Sequence, residues 1–196
     1  MTITSKPEGQ PIAHRIQFLN GVAISSSTPC AGKNGTIINA KDLFHNMKTR
    51  KNAYHTGEEQ SKIAEVLRAY AVHYHHISFM LFKLDTNTSQ LRVFDCKSKE
   101  DAITMAFSKE IAQNLTSFSI TEPEIGFKAE SFFTNGNYSG KKMELLLFIN
   151  NRMVHAKTVK QTIESVFADY LPKGSHPWYV ARLYISHRGQ WEFICP

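Results

Sequence analysis

The residues best equipped for chemistry in this sequence are cations gathered in its C-terminal third. Lys141 and Lys142 stand just before an apolar run that starts at Met143, and Arg152 stands just after it. Lys157 and Lys160 follow, one helical turn apart. Cations so spaced can hold phosphate oxygens, which gives affinity for a nucleic-acid backbone without reading its sequence. Asn150 and Arg152 come after the buried strand and before a helix, so they are expected at the carboxyl end of that strand, where open α/β sheets place binding groups. A turn stabilised by Asn150, with Arg152 in water, fits the same residues, and so does a merely solvated basic cluster.

Other chemistry is less well provided. His73, His75 and His76, taken with Cys30 or Cys96, have no spacing that matches a zinc finger, and adjacent histidines entering a strand point to opposite faces. Ser139 and Cys96 have no neighbouring base in the sequence to activate them. Cys30, Cys96 and Cys195 are odd in number, far apart and without a C-x-x-C pair, which argues for a reducing compartment over a disulfide framework.

The positioning elements follow from hydrophobic periodicity. Residues 143–150 are nearly all apolar, as in a strand buried on both faces. Residues 156–171 carry a helical stripe of Val159, Ile163, Val166, Phe167 and Tyr170, expected to be buried, and Pro172 ends that helix. Residues 178–186 form the next strand. Strand, helix and strand make a βαβ unit with parallel strands. Upstream, helices are expected over 58–73, on a stripe of Ile63, Val66, Leu67, Tyr70 and Ala71, and over 99–115. Strands are expected over 77–84, 91–96, 117–120 and 125–133, with Pro123 in a turn. Asn20-Gly21 marks a hairpin between residues 14–19 and 22–25. Residues 29–35 read as a loop, 36–38 as a short strand, and residues 42–44 as a helical turn. The first eleven residues read as a disordered tail. The fold class is α+β or α/β, a mixed sheet with helices packed on it.

At 196 residues the chain is long enough for a proper core without metal or disulfides. Its net charge of +6 favours a polyanionic partner without requiring one. The apolar runs are too short for a membrane span, and the start of the chain does not resemble a signal peptide. A cytosolic or nuclear protein is expected.

Three ordered segments go further. They are Gly35-Thr36-x-Ile38-x-x-x-Asp42-Leu43-Phe44-x-Asn46-x-x-x-Arg50, then Asn137-Tyr138-Ser139-x-Lys141-Lys142 running into Phe148-Ile149-Asn150-x-Arg152, and Tyr170-Leu171-Pro172-Lys173-x-x-His176-Pro177-Trp178. Together they resemble the MutL family of DNA mismatch-repair proteins, in its eukaryotic MutL homologue 1-type branch, from about Pro29 to about Ser186. The family usually has Pro-Ala before the arginine, where this chain has Lys48-Thr49.

The resemblance implies a second-domain fold shared with gyrase B and a small-subunit ribosomal protein, including a left-handed βαβ unit. It implies three regions: residues 1–50 as a tail plus remnant of the GHKL ATPase domain and junction, 51–186 as the transducer-like, DNA-binding second domain, and 187–196 as a divergent end. It makes Gly35, Thr36, Asp42, Asn46 and Arg50 junction residues, although Gly35 serving a tight turn, Asp42 capping and Arg50 bonding local carbonyls fit too. It places Lys157 in a DNA-binding groove, joined in this reading by Lys141, Lys142, Arg152 and Lys160. It names DNA, a PMS-type MutL paralogue and a MutS-type mismatch recognition complex as partners, in the nucleus.

The ATP-site motifs of the family are missing: the Asn-bearing helix, the Asp-x-Gly-x-Gly segment, the Gly-Phe-Arg-Gly-Glu-Ala lid and the Val-Asn-Val-His-Pro-x-Lys segment. Full-length relatives use ATP and magnesium. This chain is expected to be a fragment, from a truncated product or an incomplete gene model, with no cofactor and no autonomous ATPase. The alternative is a non-catalytic nucleic-acid-binding module of ribosomal-protein-like fold.

Overall fold

The computed structural model describes residues 1–186, so the expected divergent end, residues 187–196, lies outside the described residues. The chain divides into two compact units, Met1–Thr56 and Gly57–Pro196.

The first unit is a sheet of β1 (Thr2–Lys6), β2 (Ala13–Leu19), β3 (Val22–Ala23), β4 (Thr28–Cys30) and β5 (Gly35–Asn39). Its order is β3-β2-β1-β5, with β4 also paired to β2, and every pairing is antiparallel. The Asn-Gly hairpin forms as expected, with φ of 50° at Asn20 and 82° at Gly21, the left-handed pair that such a turn requires. The disordered tail is a misreading, because β1 lies inside the sheet with Ile3 between Ile16 and Ile38. Its polar composition conceals it: only Thr4 and Ala13 are buried in this unit, so the strand needs few apolar residues. Part of the expected loop is β4. The expected helical turn is replaced by left-handed backbone at Asp42 and Phe44 (φ 53° and 61°), and α1 (Lys48–Asn52) follows it.

The second unit holds α2 (Thr56–His73, whose first residue closes the first unit), β6 (Phe79–Lys83), β7 (Thr88–Val93), α3 (Lys99–Ala106), α4 (Lys109–Gln113), β8 (Leu115–Glu122) and β9 (Phe127–Thr134). It continues through β10 (Glu144–Ile149), β11 (Arg152–Val154), α5 (Lys157–Ala168) and β12 (Trp178–Ile185). Its main sheet runs β11-β10-β12-β9-β8, while β6 and β7 form a separate hairpin. β10 and β12 are parallel, as the βαβ reading requires, and the other pairs of the main sheet are antiparallel.

Both faces of this sheet are covered at its central strands, while β8 at one edge is exposed beyond Leu115. On one, Phe148, Trp178 and Val180 pack in a common core with Val72 of α2, Ile103 of α3 and Val93 of β7. On the other, Phe167 of α5 meets the rings of Phe133 and Tyr179. Phe132 touches the first core and Phe133 the second contact, the period-two alternation of a strand.

Three details depart from expectation. In α2 the buried residues are Ala64, Ala69, Ala71, Val72 and His73, while Ile63 and Val66 are 48% and 41% exposed. The alanines and Val72 lie in the core and Leu67 and Tyr70 pack against it, so of the expected stripe only Ile63 and Val66 stay outside. The long helix over 99–115 breaks at Phe107 (φ −125°, ψ −87°), because Ser108 caps a new helix by accepting from the Ile111 amide at 3.2 Å. The stripe of α5 is not fully buried: Phe167 and Ile163 are half-buried, but Val166 and Tyr170 are 55% and 77% exposed. Tyr170 also lies beyond the end of the helix at Ala168.

Candidate nucleic-acid interface

The geometry of the basic residues is set by a two-residue turn. Asn150 and Asn151 have φ of 46° and 68°, and this left-handed pair reverses the chain from β10 into β11. β11 then runs back along β10, pairing Ile149 with Arg152 and Leu147 with Val154. Helix α5 therefore starts beside the amino half of β10, not beyond its carboxyl end, where the sequence reading placed the binding groups.

Asn150 has a structural task at that carboxyl end. Its amide nitrogen donates to the Ile185 carbonyl at 3.1 Å, and its side-chain oxygen accepts from the Ile185 amide at 2.9 Å. With the Asn150 amide donating to Leu183 O at 2.9 Å, this side chain extends the β10–β12 ladder past its last residue pair. Arg152 is exposed at the start of β11. The turn reading of these two residues therefore describes their positions.

The reversal brings together a cleft of about 380 Å³. Lys142, Lys157 and Lys160 line it, and Arg68 from α2 joins them. Phe107 and Met153 contribute apolar wall, and Glu65 and Glu144 are the carboxylates present. Among the described residues, none of the four cations forms a salt bridge. The Arg68 Nε is buried without a hydrogen-bond partner. Ala156, the residue before α5, offers no side-chain cap, and the first turn of the helix has no acid. The positive end of the helix dipole thus adds to the lysine charges, an arrangement suited to anions.

Two of the five expected cations do not line this cleft. Lys141 is exposed in the segment before β10, and Arg152 is at the far end of the β10–β11 hairpin. The second and third signature segments do meet, through paired backbone bonds between Gly140 and His176 (3.0 and 2.9 Å) and a 2.7 Å bond between the Ser139 and Ser175 hydroxyls. In the first unit, Gly35 opens β5 at φ 116°, and the Thr36 hydroxyl bonds that of Ser5 at 3.0 Å. Asp42 and Asn46 are exposed in turns, and the Arg50 guanidinium lies 5.8 Å from the centre of the Phe44 ring.

The histidines sit on different ground from the strand entry first assumed. His73 ends α2, and His75 and His76 lie in the turn after it. His73 stacks on Phe148 at 4.1 Å, and its Nε2 is 3.0 Å from Asn151 Oδ1. Burial above all, and then the Arg182 charge, hold its pKa below the ordinary value. Burial lowers the His75 pKa as well. Among the described residues no three His, Cys, Asp or Glu side chains converge as metal ligands.

Sequence reasoning missed the roles of four features: the β11 reversal, Arg182, Arg68 and Phe107. The Asn-Asn pair between apolar residues was the available signal for β11, since asparagine tolerates left-handed backbone. Arg182, a cation inside the apolar run of β12, was visible as an anomaly. Phe107 carried only the signal of an apolar helix face, shared with Ile103, Ala106 and Ile111, and Arg68 carried none.

Comparison with known proteins gives a consistent picture. Residues 103–189 match the family described as DNA mismatch repair protein, C-terminal domain. The putative MutL protein homolog 1 of Schizosaccharomyces pombe is 37% identical over 151 residues, 75% of this chain and 22% of that protein. The DNA mismatch repair protein MLH1 of Saccharomyces cerevisiae is 34% identical over 183 residues, 91% of this chain and 24% of that protein. The chain thus spans under a quarter of the length of these two relatives. Among solved structures, the Aquifex aeolicus MutL ATPase domain complexed with ADP aligns with a TM-score of 0.70 at 17% identity, over 94% of this chain and 67% of that one. The N-terminal domain of a DNA repair protein aligns with a TM-score of 0.75 at 16% identity, over 94% of this chain and 59% of that one. At such identities these two likenesses show the fold.

Proposed function

Because the chain belongs to the MutL family of DNA mismatch-repair proteins, we propose that it contributes DNA-backbone binding to repair through its basic cleft. The observation that carries this reading is the convergence of Arg68, Lys142, Lys157 and Lys160 beside the uncapped start of α5, with no carboxylate bonded to them among the described residues. Phosphate oxygens would complete both the cations and the open helix amides. Contacts of this kind fix position on a strand but leave sequence unread, which suits repair at arbitrary sites. Lys141 and Arg152 would act as outlying positive charge, steering DNA without entering the cleft.

ATP switching, pairing with a PMS-type MutL paralogue, recruitment by a MutS-type complex and work in the nucleus belong to this proposal at the level of the whole protein. Their basis is the family likeness. The expectation of no autonomous ATPase keeps its basis in the sequence, which lacks the family's ATP-site motifs, and no phosphoryl-transfer step is assigned to this chain. Gly35, Thr36, Asp42, Asn46 and Arg50 keep their proposed role as junction residues on the same family likeness.

Fluorescence anisotropy with labelled DNA tests the reading. Affinity should fall steeply between about 50 and 200 mM salt. Affinity indifferent to salt would sink it, and a clear preference for structured RNA would favour the ribosomal-protein-like module instead. An ATPase rate above background in the purified chain would overturn the assignment of no autonomous hydrolysis.

A further inference from the structure

Phosphate binding by itself needs only a charged ridge, yet this site is a recess. Its volume of about 380 Å³ falls within the range of small-ligand pockets, roughly 300–1,000 Å³. Its cations share the wall with Phe107 and Met153, which have nothing to offer a phosphate. A planar, apolar-faced group carried between two phosphates would use both kinds of surface.

Phe107 is placed there by a specific local event. The helix begun at Lys99 stops at Ala106 instead of running on, and Ser108 starts the next helix, so the ring sits at the corner between them. The ring packs edge-on to the buried Trp178 indole, with centroids 5.1 Å apart and planes at 68°. Held this way, Phe107 is a rigid wall, and a rigid aromatic loses little entropy when a ligand ring settles against it. Met153 adds a polarizable thioether that adapts to the outline of a ring.

We infer that the cleft receives one unstacked base of single-stranded DNA, with Phe107 and Met153 against the base and Lys142, Lys157 and Lys160 on its flanking phosphates. The inference rests on the DNA-binding reading above and narrows it. Duplex DNA keeps its bases stacked inside the helix and offers only its backbone to the lysines. A single strand can turn one base inward at much lower cost. The site therefore discriminates by strandedness, and it does so without reading base identity, because every base has an apolar face.

The test compares three probes with the full chain at one salt concentration: an oligothymidine, the same strand with abasic residues in place of its thymidines, and a duplex of equal length. The oligothymidine should bind about tenfold tighter than the abasic strand, with the same slope of log affinity against log salt, and tighter than the duplex. A strand with a single 2-aminopurine should change its fluorescence on binding, and Met153→Ala should shrink that change while leaving the salt slope intact. Equal, salt-dependent affinities for the normal and abasic strands would overturn base insertion and leave backbone binding standing. A duplex bound as tightly as the single strand would overturn it as well. Failure of all three probes to bind would remove the DNA-binding reading itself.

Discussion

The Arg182 guanidinium and the main-chain carbonyl of His73 lie 3.1 Å apart, joined by a hydrogen bond that ties β12 to the last residue of α2. The same Nη2 donates to the carbonyl of Val72 at 3.0 Å. A cation at 6% exposure is costly to bury, and here it is offset by the free carbonyls and negative dipole end of an 18-residue helix. Burial pulls the Arg182 pKa down, with Tyr184 and Glu130 opposing that effect.

Arg182→Ala should therefore destabilise the second unit by about 1.5–3 kcal/mol, the size of a hydrogen bond to a charged group. Arg182→Met should recover only part of the loss, since it restores packing but leaves two carbonyls without donors. Urea unfolding of the two variants checks this. If Arg182→Met were as stable as the unaltered chain, the helix-end role would be wrong.

Stability should also fall with acid in a particular window. His73 is held below its ordinary value of 6.5 by burial and by the Arg182 charge, against the Asn151 hydrogen bond, which favours the charged form. The unfolded chain takes up this proton near 6.5 while the folded chain resists it. The contribution is thus complete above that pH and is lost as pH falls from 6.5 toward the lower folded value. His75 shifts in the same direction, so the two effects add. His73→Gln keeps a hydrogen-bonding group but cannot titrate there. Its Tm should drop less than that of the unaltered chain between about pH 7.5 and about pH 5.5, a span that brackets the histidine range. Parallel Tm profiles would refute the assignment.

Asn150 offers a way to separate architecture from binding. Asn150→Ala removes both side-chain bonds to Ile185 and leaves an alanine at φ 46°. The expected loss is about 1–3 kcal/mol of stability. DNA affinity measured well below the unfolding temperature should hardly change. A large affinity loss in a fully folded variant would restore Asn150 to the binding surface.

The lysines should divide by position. Replacing Lys142, Lys157 or Lys160 with Ala should each reduce the salt slope of DNA binding by about one. Lys141→Ala and Arg152→Ala, outside the cleft, should have smaller effects on both slope and affinity. Equal effects from all five would mean that DNA contacts a diffuse basic surface and not the recess.

Much of the architecture could be read from residues 143–186. Continuous apolar runs specify β10 and β12 because a strand covered on both faces has no polar side to show. The pattern of α5 specified a helix for a similar reason, although not how much of its stripe would be covered. β1 was illegible because a sheet that buries only Thr4 and Ala13 in its unit leaves almost no hydrophobic signature. The stripe of α2 was legible at Leu67, Tyr70 and Ala71 but not at Ile63 and Val66, because a periodicity count weights large residues and passes over the alanines at 64 and 69 that are buried instead.

For the candidate site, the sequence determined the kind of chemistry: lysines at 142, 157 and 160, close enough along the chain to share a phosphate-bearing ligand. It also carried the family likeness, which lies in ordered short segments. Tertiary structure decided where those lysines gather and what they gather around. Two left-handed asparagines fold β11 back along β10, so the start of α5 returns to the amino half of the strand, while Arg152 stays at the other end. Arg68 and Phe107 reach the same recess from α2 and the α3–α4 corner. Their separations in sequence are too large for any local pattern to encode; only burial of the shared core, which fixes those helices on the sheet, brings them into reach.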